Sequence, residues 1–407
     1  MNRKLNKLVE KLFYVLIAIV TIQSCTLKNQ PTLNYDEGWK IIGPGGGGAT
    51  FIPTFSYHNP DHFLVRCDMT GAYLTRDGGV SYKMINNPNG SHCFAYDPND
   101  PETIYIGGTI LNQSTDGGQT WKRIFPKKEE IVSENWHGDH GGYSLAVTEK
   151  SMYPGRGGMR NLIVDPNSSE SLYMSMGAYF LYSTNKGSTW NREEMEYPVE
   201  YLYTNASGLK SEVYIFTAQA IYIFNKASKE IRKRELPKNL NPASFFTAGT
   251  LKDSDKTVFY AIHFTKPKEN VYATTTSEVW LSYDNGVNWS RVEDPVVTNV
   301  KTGVKPSYIK IVCSERDAAN AYLVANIYED VVDGKKIYWY GALKTSDAGK
   351  TWNWVYQGGG GSGQYGVEDA MDAENLRDAW VHEAFGSELV QLMDVGVSPM
   401  EIGRAHV

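Results

Sequence analysis

The sequence predicts an all-β protein, a seven-bladed β-propeller of four-stranded blades whose last blade is incomplete. Two recurring phrases and their spacing predict it: a Ser/Thr-x-Asp/Asn-x-Gly turn found five times, an Asp-Pro turn found upstream of it, and intervals that fit one or two blades each. Composition agrees, because 13% aromatics and 38 Gly suit many short strands joined by tight turns.

The chain opens on a targeting segment. Arg3, Lys4, Lys7 and Lys11 precede an apolar run from Leu12 to Ile22 that is too short to span a bilayer as a helix. Ile22-Gln23-Ser24-Cys25 resembles a bacterial lipobox. Residues 1–25 are therefore expected to be a lipoprotein signal peptide with Cys25 as the lipidation site, and residues 26–37 a linker. The expected location is the outer membrane or cell surface, with membrane contact through the lipid anchor alone.

The propeller is expected over residues 38–400. The turn phrase reads Thr75-Arg76-Asp77-Gly78-Gly79, Ser114-Thr115-Asp116-Gly117-Gly118, Ser183-Thr184-Asn185-Lys186-Gly187, Ser282-Tyr283-Asp284-Asn285-Gly286 and Thr345-Ser346-Asp347-Ala348-Gly349. Four of the five copies run on to a Trp: Trp121, Trp190, Trp289 and Trp352. These are Asp boxes. Ser and Asp oxygens accept backbone N–H groups inside such a turn, and Gly takes a positive φ. Their carboxylates hold turns together and are not assigned to catalysis.

The second phrase, as in Asp97-Pro98-Asn99 and Asp165-Pro166-Asn167, lies between the first two strands of a unit. One unit is thus strand, Asp-Pro turn, strand, short turn, strand, Asp box, strand, which is a propeller blade. The longest interval between boxes, from Ser183 to Ser282, holds a degenerate blade with strands at Val213–Phe216 and Ile221–Phe224 and Asn225-Lys226-Ala227-Ser228 in place of the box. A seventh blade is expected to begin at Leu389–Met393 and run into Val397-Ser398-Pro399. Residues 401–407 are expected to be a non-native tail, because Glu-Ile-Gly-Arg-Ala-His-Val can be written as GAG ATC GGA AGA GCA CAC GTC, which resembles a sequencing-library adapter.

Strand order alone sorts the loops. With blade strands A to D running from axis to rim, A–B and C–D turns share one face, and B–C turns and blade-to-blade connections share the other. The Asp boxes and Asp-Pro turns are short and structural. Long connections at 127–159 and 357–387, and the loops 265–276 and 329–336, fall on the opposite face, where function is expected. Gly45 to Gly48 lies on that face and is no phosphate loop, since no Gly-Lys-Ser/Thr follows. Asp68, in the first B–C turn, belongs to the same face.

Trp39-Lys40-Ile41-Ile42-Gly43-Pro44-Gly45, Phe55-Ser56-Tyr57-His58-Asn59-Pro60 and Arg66-Cys67-Asp68-Met69-Thr70-Gly71-Ala72-Tyr73 resemble the opening of family 74 glycoside hydrolases. That family comprises xyloglucanases and related endoglucanases with two tandem seven-bladed propellers, which act by inversion. The family phrase is Arg-Thr-Asp-x-Gly-Gly-Ala-Tyr; here Cys67 and Thr70 depart from it. The resemblance implies that Asp68 is the catalytic base, with the acid supplied by a second propeller, and that Arg66 and Tyr73 shape the site. Inverting hydrolysis needs two carboxyl groups about 6.5–9.5 Å apart. Trp136, Tyr365 and Trp380 are candidates for stacking on sugar, and His137, Asp139, His140 and His382 for polar contacts with it. His137-Gly138-Asp139-His140 lacks the further well-spaced ligand that a metal needs, so no metal is expected, and no cofactor.

Other readings stay open: a non-catalytic glycan- or protein-binding surface propeller, or another carbohydrate-active enzyme on the same scaffold, a lyase included. Phe51-Ile52-Pro53 lacks the Arg of the sialidase motif. A net charge of −6 offers no basic field for nucleic acid. Cys67, Cys93 and Cys313 have no CxxC spacing and are expected as small buried strand residues. The expected partner is a poly- or oligosaccharide, bound by a monomer.

Overall fold

The computed structural model describes residues 50–67, 71–87, 90–137, 142–155, 158–205, 211–265, 277–293, 307–332, 335–361, 395–399 and 405–406. The leader and linker with Cys25, and the site candidates Asp68, Asp139, His140, Tyr365, Trp380 and His382, lie outside the described residues.

Every blade is a four-stranded antiparallel meander. Blade 1 comprises β1 (Thr50–Phe55), β2 (Phe63–Cys67), β3 (Ala72–Thr75) and β4 (Lys83–Ile85), and blade 2 comprises β5 (Cys93–Asp97), β6 (Asp100–Gly107), β7 (Leu111–Ser114) and β8 (Lys122–Phe125). A separate hairpin, β9 (Ile131–His137) with β10 (Gly142–Val147), occupies the long connection that follows. Blade 3 is β11 (Met159–Asp165), β12 (Ser168–Met176), β13 (Tyr179–Ser183) and β14 (Asn191–Glu194). Blade 4, the degenerate one, is β15 (Val199–Tyr203), β16 (Glu212–Thr217), β17 (Ala220–Asn225) and β18 (Ile231–Glu235). Blade 5 is β19 (Ala243–Thr250), β20 (Thr257–Phe264), β21 (Ser277–Ser282) and β22 (Ser290–Arg291), and blade 6 is β23 (Ser307–Cys313), β24 (Ala321–Val332), β25 (Lys335–Thr345) and β26 (Asn353–Gly361).

The five repeat phrases all fall on the turn between the third and fourth strands, and all close in the same way. The Ser or Thr hydroxyl donates to the Asp or Asn carboxyl-type oxygen two residues on, at 2.7–3.0 Å, and accepts the N–H of the Gly four residues on, at 2.7–2.9 Å. That Gly has φ between +79° and +88° in every copy. The residue before it is also left-handed, which Gly78, Gly117 and Asn285 tolerate at lower cost than Lys186 and Ala348. In the degenerate blade, Asn225 Oδ1 accepts the N–H groups of Ala227 and Ser228 at 2.9 Å instead.

The innermost strands β1, β5, β11, β15, β19 and β23 adjoin one another in chain order around a central channel. The core accordingly lies in layers between blades. Five buried clusters each join two successive blades, such as Leu64, Leu74, Phe94 and Ile106 between the first two. A sixth joins Tyr322, Val324 and Ala342 of blade 6 to Val395. The three cysteines are buried, as expected of small strand residues.

Among the described residues the expected count of seven blades is corrected to six. At the position of a seventh innermost strand, β27 (Gly396–Val397) packs against both β23 and β1, and it pairs only with β28 (Ala405–His406). The pair is two residues long, Gly396 with His406 and Val397 with Ala405, and does not make a four-stranded meander. The expected start of that blade at Leu389–Met393 lies outside the described residues. A second correction concerns 329–336, expected as a loop: β24 and β25 extend into it, with Glu329 paired to Tyr338 and Val332 to Lys335.

Candidate functional site at the channel mouth

Antiparallel meanders put the start of each innermost strand and the end of each second strand on the same face as the B–C turns. Five of the six innermost strands carry a register shift near that start, between Phe51 and Thr54, Met159 and Asn161, Val199 and Tyr201, Ala243 and Phe245, and Tyr308 and Lys310. The extra residue leaves the ladder, and bulges of this kind re-aim side chains. In blades 3 and 4 those residues are Arg160 and Glu200. In blade 1 the shift includes Ile52, whose φ of +47° is an outlier for a β-branched side chain.

These positions line a cavity of about 690 Å³ running along the innermost strands, with Arg66, His92, Arg160, Glu200, Phe245 and Lys310 in its wall. That volume lies in the range of small-ligand sites. Arg66, at the end of β2, stands 5.6 Å over the Phe51 ring, and Lys310 stands 5.7 Å over Phe245. Burial and the charges of Arg66 and Arg160 hold the His92 imidazole below its usual range. Burial raises the Glu200 carboxyl, and Arg160 opposes that rise. Gly158 leaves room for His92, since a Cβ there would sit 2.1 Å from His92 Nδ1.

A second cavity of about 600 Å³ opens among the Asp-Pro turns, with Pro98, Pro166, Asp253, Asp255 and Arg316 in its wall, and shares Tyr57 and Glu315 with the first. Tyr57 donates its hydroxyl to Glu315 Oε2 at 2.6 Å, and Arg316 stacks 5.3 Å over the Tyr57 ring. Burial raises the Glu315 carboxyl, while the Tyr57 hydrogen bond and Arg316 pull it down.

The four sequence candidates among the described residues are not gathered in one place. Arg66 reaches the channel mouth. Tyr73, on β3, lies edge-on to Tyr82 at 6.4 Å within blade 1. Trp136 and His137 belong to the β9–β10 hairpin. Trp136 is 54% exposed, packs at 4.4 Å on Tyr143, and borders a separate cavity of about 320 Å³ with Asn86, Asn112 and Arg123. His137 Nε2 lies 3.3 Å from Ser144 Oγ. Sequence reading missed His92, Arg160, Glu200 and Lys310. Their signal was positional, each falling within a few residues of the start of an innermost strand.

No protein-family model matches the chain. In sequence it is 27% identical over 224 residues to the xyloglucanase Xgh74A of Acetivibrio thermocellus, a stretch covering 49% of this chain and 24% of that enzyme. The chain resembles a family 74 xyloglucanase. The fold agrees with that resemblance. A family 74 xyloglucanase from Xanthomonas campestris superposes with a TM-score of 0.56 at 13% identity, over 91% of this chain and 52% of the enzyme. A family 74 enzyme from Niastella koreensis gives 0.51 at 16% identity, over 76% of this chain and 46% of that one. The chain thus spans about half of each family 74 structure and a quarter of the curated xyloglucanase that it matches.

Proposed function

We propose that this propeller is the glycan-engaging part of a polysaccharide hydrolase acting on a xyloglucan-like β-glucan by inversion, exported and held at the cell surface through Cys25. The observation that carries the reading is the sequence similarity to a xyloglucanase, joined to the place of Arg66. Arg66 lines the channel mouth on the face with the long connections, and Asp68 follows it by two residues. Asp68 acts as the general base that activates water, with Arg66 orienting the sugar beside it. The protonated partner comes from a second propeller, as in the family. For catalysis on this propeller alone, Glu200 is the favoured acid, because its carboxyl lines the same cavity and burial holds its proton more tightly.

Asp68→Asn is expected to cut release of reducing ends from xyloglucan by about 10²–10⁴-fold, the usual worth of a general base. Full activity in that variant would end the assignment. A binding-only propeller is the second reading, favoured by a cavity along the innermost strands that is wide enough for a small ligand; it predicts glycan retention on an affinity gel with no product formed.

A further inference from the structure

We infer that the rim pocket between blades 1 and 2 is a second glycan-holding site, apart from the channel mouth, that stacks a neutral β-glucan on Trp136. The inference rests on the glycan reading above and adds to it a place where the polymer is gripped without being cut.

The β9–β10 hairpin sets Trp136 opposite Tyr143, with ring centroids 4.4 Å apart. Tyr143 is buried, and its hydroxyl donates to Glu134 Oε1 at 2.7 Å. Arg123 on β8 donates to the same oxygen, which fastens the hairpin to blade 2. Trp136 is therefore braced from behind while its own ring stays open to solvent. Among the described Trp side chains it alone is exposed, whereas Trp190, Trp280 and Trp352 are buried. The pocket of about 320 Å³ beside it is lined further by Ile110, Trp121, Asn86, Asn112 and Arg123. It shares no residue with the channel cavity, and no Asp or Glu lines it. The exposed Asn86 side-chain amide makes no hydrogen bond with a described residue. The Asn112 side chain uses only Nδ2, on Asn87 Oδ1 at 3.3 Å. Arg123 spends one of its five N–H donors on Glu134, which also meets its charge. The pocket thus offers two indole rings, two amides and spare guanidinium donors without an unbalanced charge. An indole covers the C–H face of a β-linked glucose unit, and the amides and guanidinium take its hydroxyls. That chemistry fits a neutral sugar, in keeping with a xyloglucan-like polymer. Asn86 follows β4 and Ile110 lies between β6 and β7, so the pocket belongs to the same face as the channel mouth.

Native affinity electrophoresis of the full chain in gels containing xyloglucan tests the site. Trp136→Ala should weaken retention at least tenfold, as loss of an aromatic anchor does, and Asn86→Ala about threefold, the worth of one neutral hydrogen bond. Trp136→Tyr, which keeps a ring, should stay within about threefold of the parent. Retention should hold as salt rises from about 50 to 500 mM, because no charge is paired across the contact. Both side chains are exposed, so melting temperatures should not change, and Asn86→Ala decides the matter if Trp136→Ala melts lower. Equal retention of the parent, Trp136→Ala and Asn86→Ala overturns the rim site and leaves the glycan reading at the channel standing, as does retention that is lost in high salt. A parent chain that xyloglucan does not retain at all overturns both.

Discussion

At the scale of single residues, the repeat turns owe their geometry to a hydroxyl and a carboxylate that do no chemistry. The Ser81 hydroxyl and backbone N–H, with help from Thr75, hold the Asp77 carboxyl down at about 2. Thr120 and Ser114 depress Asp116 in the same way. A free Asp titrates near 3.9, so the unfolded chain takes up these protons first as pH falls. The linked stability is therefore fully present above about pH 5 and lost as pH drops through 4 toward 2. The third copy, with Asn185, makes the same bonds without a charge, its Nδ2 donating to Thr189 Oγ1 at 2.8 Å. An Asp77→Asn, Asp116→Asn double variant should fold normally and show a flatter fall in urea midpoint between pH 5 and pH 2. A fall as steep as that of the parent would show that these turns are not its source.

At the scale of elements, the Gly of the repeat serves packing as well as the turn. A Cβ at Gly118, Gly187, Gly286 or Gly349 would press on Leu74, Ile124, Ile221 or Leu281 of the preceding blade, at 2.6–2.9 Å. Blades also tie to their successors: Arg76 donates to the Gly117 carbonyl, Arg234 on β18 to that of Asn285, and Tyr283 to that of Ala348 at 2.7 Å. The degenerate blade, which lost the box, gained another link. Lys226 Nζ lies 2.7 Å from Asp165 Oδ2 in the Asp-Pro turn of blade 3, with both side chains largely buried. Asp165 also accepts from the Tyr173 hydroxyl and the Asn167 N–H. Lys226→Ala should cost about 3–5 kcal/mol in chemical denaturation, because it strands a buried carboxylate. A loss below about 1 kcal/mol would mean that the pair contributes no more than a surface ion pair.

At the scale of the whole molecule, β27 packs between the first and the last of the six described blades. Its Gly396 lies against the Pro53 backbone, where a Cβ would be 2.3 Å from the carbonyl oxygen, and Val395 is buried with Tyr322 and Val324. Gly396→Val should lower stability by about 1–3 kcal/mol, the usual cost of overpacking, seen as a lower calorimetric melting temperature. An unchanged melting temperature would show that this strand does not close the ring.

Much of this was legible in the sequence for a physical reason. Turn chemistry is local: Ser114, Asp116 and Gly118 specify a conformation within five residues, and repetition of that unit dictates a propeller. Strand order is also one-dimensional information, so the face that carries Arg66 followed from counting strands, as did the degenerate blade at Val213–Phe224. The number of blades was less legible, because ring closure depends on how β27 packs against β23 and against β1, the latter separated from it by most of the chain. The channel mouth was hidden for the same reason. His92, Arg160, Glu200 and Lys310 stand in four blades with no common motif, and they converge only because bulges and radial packing turn strand starts toward one axis. Tertiary structure decided that gathering, since charge and burial at a shared opening are properties of assembled backbones and not of any one segment.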